Sequence, residues 1–192
     1  MDTRAAIIHI GDTLLRERGY NAFSFTDISR ELDIKNASVH YHFPTKASLG
    51  VAIISEYEKA FEDLRKESAG APALAKLRTF LKVYIAARGQ NKICLVGSLA
   101  TDLYTVDEAM QQALGRLVRQ ILSWLTAILE EGRSEGMFFF SGSARTKALL
   151  VITNMMAALQ LTRVTGKKDF QEIKGAIIAD LIGSGKRIKQ KN

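Results

Sequence analysis

The chain has 192 residues, 47% of them apolar and 24% charged, with 27 basic side chains against 20 acidic ones. That length can bury a core without a staple, and the single cysteine, Cys94, excludes an intrachain disulfide and a Cys-rich zinc site. The net charge of +7 points to an acidic partner such as nucleic acid, without separating that from a solubilising surface.

Helical periodicity runs along nearly the whole chain, and only Pro44 and Pro72 interrupt it. An all-α fold of about nine helices is expected. The first spans about Thr3 to Arg18, with Ile7, Leu14 and Leu15 on its apolar face and Gly19 as its stop. Ser24-Phe25-Thr26-Asp27 resembles a capping box and opens a short helix to Leu32. After the tight turn Asp33–Asn36, a second short helix, Ala37 to Phe43, ends at Pro44. Thr45 caps a long helix through about Lys66, and residues 68–72 form the first clear break.

A helix ending near Gly89 follows, then a short apolar one from Cys94 to Leu103. Asp107 caps a long helix that Gly132 should stop. Met137-Phe138-Phe139-Phe140 reads as a loop or helix edge between two glycines. The last two helices run from Ser143 to Val164 and from Asp169 to Ile182. The longest chargeless stretch, Ala148 to Thr162, is too short and too polar to span a bilayer and reads as a core helix. The N-terminus carries Asp2 early and no long apolar run, so a cytoplasmic protein with a reduced thiol is expected.

Two short helices joined by a four-residue turn are the unit by which many proteins enter the DNA major groove. Ile28, Leu32, Ile34, Val39 and Phe43 would fix the angle between the helices, with Asn36, Ser38 and His42 on the outer side. Short helix pairs are also common in all-α domains, and residues 1–50 carry six basic and six acidic side chains, so charge does not decide the matter.

The stretch from Gly19 to Leu49, with its run Asn36-Ala37-Ser38-Val39-His40-Tyr41-His42-Phe43-Pro44-Thr45-Lys46, is similar to the N-terminal domain of TetR-family transcriptional regulators. It departs from the family pattern at Asp33 and Ala37, where glycine is usual, and at His40, where tyrosine is usual. Asp tolerates the left-handed geometry such a turn needs. The resemblance implies a helix-turn-helix domain in residues 1–47 and a ligand-binding and dimerisation domain in residues 48–192. It implies that Lys35, Asn36, Ala37 and Ser38 read bases. Tyr41, His42 and Lys46 would contact phosphate or sugar, and Ser24 and Thr26 would add backbone contacts.

In the larger part the resemblance implies a cavity. Tyr84, Cys94, Leu95, Leu99, Leu103, Tyr104, Trp124, Met155 and Met156 are candidates for its lining, against the alternative of ordinary core. Leu149, Ile152, Leu159 and Arg163, with Ile173, Ile177 and Leu181, mark candidate dimer faces on the last two helices. The run from Cys94 to Leu103 also resembles the NemR-like electrophile-sensing subgroup of the family, which would make Cys94 a reactive thiol rather than a small core residue.

The expected function is a ligand-responsive regulator that binds a palindromic operator in double-stranded DNA as a homodimer. It would be released by a small-molecule inducer, with repression the expected mode. No enzyme motif, cofactor, metal site or membrane partner is implied: the three histidines lack the neighbours a metal needs, and Glu130-Glu131 lie on different helix faces. Two other readings stay open. One is an all-α small-molecule-binding protein or enzyme without specific DNA binding. The other is a binder of acidic surfaces acting through the basic tail, where Lys186, Arg187, Lys189 and Lys191 cluster.

Overall fold

A computed structural model describes residues 2–90 and 92–183. Among them lie nine α-helices and no strand: α1 (Thr3–Arg18), α2 (Phe25–Glu31), α3 (Asn36–His42), α4 (Lys46–Glu67), α5 (Ala73–Gly89), α6 (Leu95–Thr101), α7 (Glu108–Ser134), α8 (Ala144–Thr165) and α9 (Lys167–Gly183). A 3-10 turn, Tyr20–Ala22, joins α1 to α2 and has no apolar periodicity to announce it. The cations expected in the tail lie outside the described residues.

The helix starts follow side-chain chemistry. Ser24 accepts from the Asp27 N–H while the Asp27 carboxylate accepts from the Ser24 N–H, which completes the expected capping box. The Ser24 hydroxyl, which donates to the same carboxylate at 2.7 Å, and then the Ser24 N–H hold the Asp27 carboxyl below its ordinary pKa. Their contribution is therefore present above the ordinary carboxylate range and fades as pH falls through the folded-state value. Thr45 and Ser48 cap α4 reciprocally, the Thr45 hydroxyl accepting from the Ser48 N–H at 3.0 Å. Asp107 accepts from the Met110 N–H at 2.9 Å and opens α7.

The chain forms two compact units. One comprises Met1–Asp63 with Lys92–Val118, the other Leu64–Asn91 with Arg119–Asn192. By packing, the first unit reaches beyond residue 47 and takes in most of α4 and all of α6. Its core holds Ile7, Leu15, Ile28, Val39, Leu49, Ile53, Leu99 and Met110. α1 and α4 approach closely at Gly11, where a Cβ would stand 3.1 Å from a Leu49 methyl and 3.2 Å from one of Ile53.

The second unit packs α8 against α5 and against α9. By length and composition α8 is apolar enough to cross a membrane, but Ala148, Val151, Met155, Ala158, Leu159 and Thr162 turn one face of it into the core of this unit. α7 does not stop at Gly132 as expected but runs on to Ser134, and the left-handed residue beyond it is Gly136, with φ of 70°. Gly132 is a packing glycine: a Cβ there would stand 2.1 Å from the Phe138 ring. The 137–140 run is a loop, held by the Phe139 N–H donating to Leu181 O at 2.7 Å.

Asp33 takes φ of 52° at the end of α2, the sole non-glycine residue with positive φ among those described. The Ile34 N–H donates to Ser29 O and the Asp33 N–H to Arg30 O, a Schellman arrangement that satisfies two carbonyls left open at the end of α2. Glycine adopts this conformation without the side-chain clash. Asp33→Gly is therefore expected to raise unfolding stability by up to about 1 kcal/mol, read as an upward shift in thermal midpoint.

Candidate nucleic-acid interface

α2 and α3 are held in a fixed pair by what they bury. Phe25, Ile28, Val39 and Phe43 are buried, with Leu32 and Ile34 half-buried beneath the turn. The Phe25 ring meets His40 edge-on at 4.8 Å, and the Arg4 guanidinium lies 5.2 Å from the Phe43 ring centroid. With that face committed, α3 presents Lys35, Asn36, Ala37, His40 and Tyr41 to solvent, with Ser38 and His42 half-buried beside them. Tyr41 is 84% exposed and touches the His42 ring edge-on at 5.2 Å, so packing inside the small domain does not account for it. Ser24 and Thr26 are exposed at the start of α2. Eight of the nine candidate DNA contacts thus have surface to offer.

Lys46 is the exception. Its ammonium is turned inward and donates to Tyr20 O and Phe23 O. It lies 4.6 Å from the Tyr20 ring centroid and 4.1 Å from that of Phe23. Burial pulls its pKa below the ordinary lysine value, against the charges of Asp102 and Asp27. Lys46 therefore ties the start of α4 to the turn before α2 instead of offering its charge to a phosphate. A lysine at a helix N-terminus beside exposed polar residues carries no sequence signal that distinguishes the two roles.

The nine cavity candidates divide between the units. In the second, Tyr84 is buried and Trp124 half-buried, and Phe80, which sequence reasoning passed over, links them, with ring centroids 5.5 Å from Tyr84 and 6.3 Å from Trp124. Met155 is fully buried and Met156 partly so. In the first unit Leu95 and Leu99 are core and Leu103 is half-buried. Tyr104 is 96% exposed, on the turn between α6 and α7, and so lines no cavity.

A cleft of about 330 Å³ does open between α1 and α4, lined by Arg4, His9, Asp12, Glu56 and Tyr57 among others, none of them a sequence candidate. Its floor is already bonded: the Tyr57 hydroxyl donates to Asp12 and accepts from Arg16, both at 2.8 Å. Burial and the Asp12 charge push the Tyr57 phenol far above its ordinary pKa, so it stays a neutral donor. Among the described residues no group of three His, Cys, Asp or Glu side chains is arranged to hold a metal.

Cys94 is the N-cap of α6, its Sγ accepting from the Gly97 N–H at 3.1 Å. Burial pushes the thiol up, against that hydrogen bond and the Arg16 charge, so thiolate is scarce at neutral pH. Alkylation by iodoacetamide at pH 7 is expected to run roughly tenfold or more slower than that of glutathione and to rise with pH. A rate equal to or above glutathione's would restore the reactive-thiol reading.

Two faces, one on α8 and one on α9, were candidates for dimerisation, and several of their members turn inward. Leu159 and Leu181 are each 1% exposed and Ile177 is buried, so all three pack within the chain. Leu149 and Arg163 are exposed, and Ile152 and Ile173 half-buried. Besides Leu149, the outward large apolar residues are Leu150, Leu161 and Val164 on α8 and Ile182 on α9.

The family profile of bacterial regulatory proteins, tetR family, matches residues 7–53, the span from α1 to the first half of α4. A TetR transcriptional regulator from Legionella pneumophila is 30% identical, with a TM-score of 0.83 over 94% of this chain and 98% of that one. The chain belongs to the TetR family. A TetR-family regulator from Agrobacterium tumefaciens is 27% identical, with a TM-score of 0.79 over 93% of each chain. The transcriptional repressor NemR of Escherichia coli (strain K12) is 21% identical over 183 residues, 92% of this chain and 90% of NemR. This TetR-family protein is accordingly a DNA-binding transcriptional regulator.

Proposed function

We propose that this TetR-family chain is a cytoplasmic homodimeric repressor that reads a palindromic operator with α3 and leaves it when a small molecule binds. The observation that carries the reading is the division of α3. Val39 and Phe43 anchor one side, while Lys35, Asn36, Ala37 and Tyr41 stand free on the other. A helix held from behind with polar side chains in front is what major-groove readout needs. In this reading residues 1–47 read DNA and residues 48–192 bind the effector and dimerise. The aromatic cluster of Phe80, Tyr84 and Trp124 supports an effector site in the second unit.

The dimer face is drawn from the outward residues. Leu150, Ala157, Leu161 and Val164 recur at helical spacing on α8, and Gly175, Ala176, Ala179 and Ile182 do so on α9. Small residues on α9 let a partner helix approach closely, and a Cβ added at Gly175 would meet nothing within 4 Å. Two-fold half-sites require a two-fold protein.

The test is a gel shift of the full chain on the DNA upstream of its own gene. A sequence-specific shift is expected, with Asn36→Ala weakening it roughly tenfold or more, the scale of one lost bidentate base contact. Absence of any specific shift at physiological salt would sink the reading.

A further inference from the structure

The stretch on either side of Cys94 is tied along the first helix by a series of polar bonds. Lys92 Nζ donates to Thr13 Oγ1 at 2.8 Å, Arg16 Nε to Ile93 O at 2.8 Å, and Ser98 Oγ to Leu15 O at 2.8 Å. Asp102, at the end of α6, continues the series but reaches past α1. Its Oδ2 accepts from the Tyr20 backbone N–H at 2.8 Å, and its Oδ1 from Asn21 Nδ2 at 3.1 Å. Asn21 also donates to Thr105 Oγ1 at 2.8 Å, and the Thr105 N–H and hydroxyl both donate back to Asp102 O. The turn that carries Asp102 thus also holds Asn21, the carboxylate's second partner.

The same 3-10 turn is held from its carbonyl side by Lys46, which donates to Tyr20 O and Phe23 O. An anion on the N–H side and a cation on the C=O side match the local peptide dipole. Phe23 is extended and leads straight into Ser24, the N-cap of α2. Wherever the turn sits, α2 must start, and α3 follows through the fixed turn at Asp33. We propose that Asp102 is a positioning residue for DNA reading: with Lys46 opposite, it sets where the helix pair stands on the first unit and so the aim of α3. The proposal rests on the DNA-reading function given above. It assigns to the acid of the Cys94–Leu103 run a role separate from thiol chemistry.

Asp102 is half-exposed, and a partly solvated carboxylate adds little to folding. Its loss should therefore disturb aim more than stability. The experiment measures the full chain against two duplexes of equal length, one enriched from a random library by the wild-type chain and one of random sequence. Asp102→Ala is expected to cut the preference between them roughly tenfold, on the scale of one mismatched base pair, at a thermal midpoint within a few degrees of wild type.

Asn21→Ala, which removes one partner from the other side, is expected to cut the preference roughly threefold. Asp102→Asn keeps an acceptor for the Tyr20 N–H and should retain most of it. A purely structural role would lower the thermal midpoint and leave the preference of the folded protein unchanged, and that result overturns the proposal. If Asp102→Ala does not fold, an unchanged preference in Asn21→Ala overturns it equally. A wild-type chain that enriches no sequence would instead overturn the DNA-reading function, and the positioning role with it.

Discussion

Lysine at both Leu161 and Val164 is expected to leave each chain folded but monomeric, and to weaken operator binding by roughly a thousandfold. Leu161 is 56% exposed and Val164 89%, so neither holds its own chain together. The opposite side of α8 keeps Ala158, Leu159 and Thr162 in the core, and the Lys147–Asp180 ion pair still links α8 to α9. Two ammonium groups on the proposed face would have to be desolvated without partners, which a dimer interface does not tolerate. A lone reader then loses the gain of a tethered second half-site, typically 10²–10⁴-fold. Sedimentation gives the oligomeric state and a duplex titration the affinity. A variant that stays dimeric would place the interface elsewhere.

Phe138→Ala is expected to destabilise the second unit by roughly 3–5 kcal/mol, the range for emptying a buried aromatic site. Phe138 is 1% exposed, and its ring lies where a Gly132 side chain would be. The backbone around it is also fixed, with the Met137 and Phe138 N–H groups both donating to Gly132 O, at 2.8 and 2.9 Å. Such a pinned loop cannot collapse into the space, so most of the cavity should remain. For a chain of this size the thermal midpoint should fall by roughly 10 °C. Phe138→Leu, which keeps most of the volume, should cost under about 1.5 kcal/mol. A midpoint for the alanine variant within 2 °C or so of wild type would show that the ring is not holding α7 to the loop.

What was legible in the sequence was local chemistry. α1 has the bounds that its periodicity and Gly19 predict, and Ser24, Thr45 and Asp107 cap the helices they precede. Asp33 takes a left-handed conformation, which its short polar side chain tolerates. These features depend on neighbours within a few residues.

What was not legible depends on distant partners. Lys46 reads as a phosphate ligand until Tyr20 and Phe23 come to meet it. Gly132 reads as a stop until Phe138 folds back over it. On α8 both faces are apolar, so a period of 3.6 residues finds the stripes without telling core from interface, and Leu159 fell on the wrong side. Tyr104 was a candidate for the cavity lining, yet it faces solvent.

The charge distribution bears on how binding should behave. The reading segment is electrically neutral over residues 1–50, and inward-turned Lys46 removes one more cation from its surface. Nonspecific affinity, which comes from phosphate neutralisation, should therefore be low, and preference should rest on placed groups such as Asn36. The direct measurement is a titration of the full chain, at roughly 0.15 M salt, against its enriched duplex and a random one of equal length. The account predicts one dimer per enriched duplex and a preference of roughly a thousandfold or more. Equal affinity for the two duplexes, or binding to neither, would contradict it.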